Sequence, residues 1–136
     1  MLARLRRHAD NDVPEAVAEL AVSYSNGVYG LVKSDKKALK LRERAAELGD
    51  VFSWASLGHH YYSGTGVKSD RKKAARFYRI GAENGEPLAQ NCLALCYELG
   101  AGVPRDLDEA KRLYALAAAQ GLQSANAQLQ RLSNAP

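Results

Sequence analysis

Residues able to do chemistry are few in this chain. His59 and His60 stand side by side, Cys92 and Cys96 lie four positions apart, Asp106 and Asp108 form an acidic pair, and GTGVKS runs from Gly64 to Ser69. A phosphate-binding loop needs four residues between its first glycine and a Gly-Lys pair, and a strand ahead of it. Here Val67 precedes Lys68, the flanks read as helices, and the related stretch at Gly100 carries Pro104 where the lysine should be. The segment therefore reads as a turn. A zinc site at the cysteines would need further ligands, and His8, His59 and His60 offer no H-E-x-x-H or C-x-x-C companion. A disulfide across one helical turn would strain its dihedral, so both are read as buried free thiols that pack as small apolar groups. Helix neighbours point about 100° apart, so the two histidines cannot share a face. With Leu57 and Tyr61 turned to the core, His59 and Tyr62 lie toward another side. Both histidines are read as surface or groove residues, because no acid and nucleophile are spaced around either one. Asp106 and Asp108 fall where a helix begins, and negative charge is favourable there. No catalytic or metal-ligating residue is assigned, and no cofactor is expected.

The elements that hold these residues follow from an internal repeat. Gly64, Gly66, Asp70, Tyr78 and Gly85 return 36 positions later as Gly100, Gly102, Asp106, Tyr114 and Gly121. Ala38, Ala74 and Ala110 keep the same spacing, as do Gly49, Gly85 and Gly121. A fixed period of this size signals stacked units rather than one irregular domain. Upstream, Leu20, Tyr24 and Gly27 match Leu57, Tyr61 and Gly64 at an offset of 37, with a longer loop that inserts Tyr29 and places Asp35 as the counterpart of Asp70. Ala9 stands in the place of Ala46 and Ala82, and Ala125 and Leu129 in the places of Ala89 and Leu93. The boundaries read are a partial helix at 1–12, units at 13–50, 51–86 and 87–122, and a half unit at 123–136. Within a unit, Ala89, Leu93, Cys96 and Tyr97 form one apolar helical stripe, and Ala110, Leu113, Tyr114, Ala117 and Ala118 form another. Pro87 suits a first helical turn, Asp106 a cap and Gly121 a helix end. Paired glycines such as those of SGTGV let the chain leave one helix at positive φ and turn back. A helix pair this small cannot bury its own stripe, so pairs must stack into a solenoid.

Hydrophobic residues at 46% and charged residues at 25% belong to a soluble, folded chain. No apolar run reaches the ~18 residues of a membrane span, and the opening MLARLRRHADNDVP is too charged for a secretory signal, so a cytoplasmic location is expected if this start is the natural one. Net charge is only +4, which does not argue for nucleic acid. Basic residues nevertheless cluster: Lys33, Lys36, Lys37, Lys40 and Arg44, then Lys68, Arg71, Lys72, Lys73, Arg76 and Arg79. Stacking aligns them into a ridge, read first as a solvated face and second as a binder of an anionic partner. Nucleic acid would need aromatic residues interleaved on that face.

The pattern A-x-x-x-L-G-x-x-Y-x-x-G-x-G-V, then Asp, then A-x-x-x-Y-x-x-x-A-x-x-G resembles the Sel-one-like repeat, a relative of the tetratricopeptide repeat, over about residues 9 to 133. Ala21 and Ala94 replace Gly58 in the other units, and Ser53 stands where the others have alanine. The resemblance implies an all-α, right-handed superhelical solenoid of antiparallel helix pairs, with about three full repeats between terminal half repeats. It also implies a non-catalytic module that binds a protein or peptide in a concave groove lined by the first helix of each pair. Carried over by position, that groove comprises Phe52, Ala55, His59 and Tyr62, then Leu88, Asn91, Leu95 and Glu98. Glu15, Ala18, Val22 and Ser25 would extend it on one side, and Ser124, Ala127 and Arg131 on the other. Trp54 is expected to pack on the preceding unit. The polar carboxyl end reads as a cap, and the short amino-terminal helix as the site of fraying or self-association. A weak hydrolase near the histidines is the remaining alternative.

Overall fold

The computed structural model describes residues 1–134, which form eight helices and no strand. They are α1 (Leu2–Asp10), α2 (Pro14–Asn26), α3 (Asp35–Glu47), α4 (Phe52–Ser63), α5 (Arg71–Glu83), α6 (Pro87–Leu99), α7 (Leu107–Ala119) and α8 (Gln123–Ser133). Ala135 and Pro136, at the end of the expected half unit 123–136, lie outside the described residues.

Local chemistry sets the helix boundaries. Pro14 and Pro87 open α2 and α6 in the first turn, where a missing N–H costs nothing. The second helices are capped by Ser34, Asp70 and Asp106, whose side chains accept from Lys37, Lys73 and Glu109 backbone N–H groups at 3.2, 3.0 and 3.0 Å. The backbone N–H of each capping residue also donates to the carbonyl of a first-helix tyrosine, Tyr24, Tyr61 or Tyr97. This corrects the expected register of the first unit: the counterpart of Asp70 is Ser34, and Asp35 is the first residue of the helix. The longer loop still demands an unusual backbone, since Tyr29 sits at φ +56°.

Helix pairs α2–α3, α4–α5 and α6–α7 pack most closely, each pair lies against the next, and α4 also meets α6 directly. Among the described residues no two second helices touch as extensively, so at the α4–α6 junction the first helices lie closer together than the second helices do. Ala38, Ala74 and Ala110 are fully buried, and lacking bulk they allow helices to approach. Gly58 serves the same end: a Cβ there would fall 2.3 Å from the Tyr78 ring. Leu57, Tyr78, Leu93, Leu113 and Tyr114 fill the space between layers.

Trp54 stacks on Phe77 of its own unit, with centroids 6.0 Å apart, and shares a hollow with Glu43 and Glu47 of α3. It thus meets its own unit through Phe77 and borders the preceding unit at α3, where it was expected to pack. At the amino end, Leu5 and Ala9 of α1 are buried with Val17 and Leu20, and Arg44 donates to the Ala9 carbonyl at 2.7 Å while pairing with Asp12. At the other end Ala125 is buried and Leu129 and Leu132 pack on the main core.

Candidate binding groove

Four residues of α4 and four of α6 were expected to line the concave side, and the fold separates them into groups. Ala55, His59 and Leu88 come together with Arg42, Ser56 and Cys92 around a hollow of about 270 Å³. His59, Tyr62 and Leu95 meet Tyr78 and Cys92 around an adjoining hollow of about 240 Å³. Ala55 corrects its expected role as an open contact residue. It is only 3% exposed and forms part of a floor, because α4 and α6 close over it. Phe52 is 52% exposed and lines neither hollow, and Leu95 is 37% exposed at the rim. Glu98 is engaged: it accepts from the Tyr114 hydroxyl at 3.0 Å and pairs with Arg131 at 2.7 Å. Asn91 has a buried side-chain oxygen with no donor among the described residues. Val22 of α2 occupies the position of His59 and Leu95 and is likewise exposed.

His60 departs from the expected surface or groove placement, since it is 1% exposed. Its Nδ1 lies 2.7 Å from the Thr65 carbonyl, which can only accept, so Nδ1 carries the proton and Nε2 accepts from the Arg42 guanidinium. Burial pushes the ring below its ordinary value of 6.5, against the Thr65 carbonyl, and the positive Arg42 adds to the depression. Both nitrogens are thus spent on holding the 64–67 loop and on meeting the preceding unit. Position 60 corresponds to Ser23 and Cys96, and position 42 to Tyr78 and Tyr114. Where two units use a buried tyrosine, the first uses arginine, and histidine supplies the acceptor it needs. The signal was present in the broken repeat at position 42, but only the contact between units gives it meaning.

The thiols behave as apolar filling. Burial raises both Cys92 and Cys96 to about 11, which leaves little thiolate at neutral pH. Among the described residues no group of three or more His, Cys, Asp or Glu is placed to hold a metal ion, and no helix is long and apolar enough to cross a membrane. The GTGVKS stretch is the α4–α5 connection. Several basic side chains cover tyrosines: Lys37 lies over Tyr24, Lys73 over Tyr61, Arg71 over Tyr62 and Arg79 over Tyr97. Part of the basic ridge thus has an internal role.

The stacked helix pairs define a helical-repeat solenoid with two adjoining hollows between α4 and α6. The Sel1 repeat model matches residues 14–50, 55–86 and 87–122, and the chain belongs to the Sel1 repeat family. It is similar to a Sel1 repeat protein from Oxalobacter formigenes, at 36% identity and a TM-score of 0.87 over 92% of this chain and 49% of that one. A protective antigen of uropathogenic Escherichia coli with an SLR fold is 31% identical, with a TM-score of 0.89 over 94% of this chain and 27% of the other. Cysteine rich protein B of Helicobacter pylori shares the fold, at 23% identity and a TM-score of 0.72 over 93% and 95% of the two chains. The chain spans about half the length of the first of these and about a quarter of the second. No curated protein matches it. Sel1 repeat proteins are generally protein-interaction scaffolds and generally not enzymes.

Proposed function

We infer that this chain is a non-catalytic adaptor that receives a segment of a partner protein along the inner face of α4 and α6. The observation that carries this reading is the pair of adjoining, largely apolar hollows on the face that unit stacking does not consume. Large apolar side chains left in open concavities are typical anchoring points for a partner. His59, Tyr62, Leu88 and Leu95 are the contact residues in this reading, and Phe52 borders the groove from the start of α4.

The test compares three proteins in capture from lysate of the source cells: the native chain, a Leu88→Ala, Leu95→Ala variant, and an Ile80→Ala, Leu116→Ala variant that removes exposed apolar groups from the second helices. Groove binding predicts partners lost from the first variant and kept by the second, with both folded. Partners retained equally by all three would show that the inner face is not the docking surface.

A further inference from the structure

Arg42 makes no ion pair among the described residues. Its guanidinium reaches from α3 to His60 on α4, and His60 is a neutral acceptor. Among the described residues no carboxylate lies within ion-pair distance of it; Asp35, in the first turn of the same helix, attracts it from farther away. Arg42 is half-buried and lines the hollow formed with Ala55, Ser56, His59, Leu88 and Cys92. A guanidinium offers five N–H donors in a planar fork, and a single imidazole nitrogen cannot satisfy them. Burial accordingly holds Arg42 below its ordinary value, the Asp35 attraction opposing this. The equivalent residues Tyr78 and Tyr114 are neutral, so the charge is particular to this junction between units.

We propose that the Arg42 hollow is a carboxylate subsite, and that the groove takes a partner segment carrying an acidic side chain next to an apolar one. This rests on the adaptor reading and adds the chemistry of the partner. The neighbouring hollow supplies the apolar half: Tyr62, Tyr78, Cys92 and Leu95 surround it with the shared His59, and no Lys, Arg, Asp or Glu lines it. The two hollows are about one helical turn apart along α4 and α6, or ~5.4 Å. Alternate side chains on one face of an extended chain are ~6.7 Å apart, so the segment presents its acidic and apolar residues at positions i and i+2. The site lies in the middle of the stack, with α2 on one side and α8 on the other, so the chain can run through it. That favours a side-chain carboxylate over a chain end. A carboxylate there pairs in a fork with a donor set already partly stripped of water, where ion pairing discriminates most.

The probes are short fluorescent peptides, acetylated and amidated, that carry Glu-x-Leu or Leu-x-Glu in a Gly/Ser background, and matched peptides with Gln for Glu. Binding is read by anisotropy. The expectation is that the Glu peptides bind the native protein roughly tenfold more tightly than the Gln peptides. The Arg42→Tyr, His60→Cys variant copies the residues found at Tyr78 and Cys96, and it removes that preference while keeping the weaker binding common to both sets. Arg42→Lys, which keeps the charge and loses the fork, retains a reduced preference. The Leu88→Ala, Leu95→Ala variant weakens Glu and Gln peptides together. Equal binding of Glu and Gln peptides to the native protein would overturn the carboxylate subsite and leave the groove standing. Absence of binding by either set at millimolar concentration would overturn both. A Gln peptide with a free carboxyl terminus that binds as tightly as the Glu peptides would also overturn it, by assigning the site to a chain end.

Discussion

A buried histidine bonded to an arginine usually invites a catalytic reading, and here the bonding pattern argues for a structural one. The ring has no nitrogen left to accept a proton from a substrate, because Thr65 takes the Nδ1 proton and Arg42 occupies Nε2. The arrangement does make stability depend on pH. As pH falls through 6.5, the unfolded chain protonates this histidine, while the folded chain resists because burial and the facing Arg42 and His59 disfavour the charge. The Thr65 carbonyl and Asp35 oppose that tendency without reversing it. The contribution is therefore complete above 6.5 and is lost on acidification toward the folded value. Urea midpoints measured from about pH 7 to about pH 5 should fall more steeply for the native chain than for the Arg42→Tyr, His60→Cys variant, and identical slopes would refute this coupling. The sequence showed only the broken repeat at position 42, and the adjacent pair His59 and His60 read as surface or groove residues. A one-residue phase difference along α4 sends one ring to the groove and the other to the core, and the apolar stripe alone did not identify which polar residue the core would accept.

The glycine-rich connections show how an element is fixed by its neighbours. Positive φ at Gly100 and Gly102 was expected from a tight return between helices, and both adopt it, at +69° and +75°. Gly102 has a second constraint, since a Cβ there would stand 2.2 Å from the Arg71 carbonyl oxygen at the start of α5. Gly66 bears on Asp35 at the start of α3 in the same way. Each connection therefore lies against the second helix of the preceding unit, and the repeated glycine marks a contact between units as well as a turn. Gly85 makes a clean comparison: it has φ +81° and nothing within 4 Å of its missing Cβ. Gly85→Ala should cost the left-handed strain alone, about 1–2 kcal/mol. Gly102→Ala should cost at least about 1 kcal/mol more, because a packed backbone must shift. Urea denaturation of the two variants measures the difference, and equal losses would mean the connection has room to relax.

Over the whole molecule, stability comes from contacts between neighbouring pairs, so the ends of the array matter. α1 is a short helix that covers Val17 and Leu20 with Leu5 and Ala9, and Arg44 ties its last turn to α3. Removing residues 1–11 should lower stability by an amount on the order of 2 kcal/mol, the scale of burying one leucine, and expose an apolar face that favours oligomers. Urea midpoints and size-exclusion chromatography would test this; a truncated chain that is as stable and monomeric as the parent would show α1 to be outside the cooperative stack. The sequence by itself determined the architecture, because a 36-residue return of alanine, tyrosine, glycine and capping residues encodes the same helix pair three times, and such pairs can bury their stripes only against one another. Which helix faces inward was an expectation carried over from the resemblance to the Sel1 repeat. Tertiary structure alone decided which inward positions are open, as with Leu95, floored, as with Ala55, or already committed, as with Glu98. It alone placed Arg42, which makes no ion pair among the described residues, beside them. Those outcomes depend on distances between residues of different units, and a period in the sequence gives the equivalence of positions but not the gap between them.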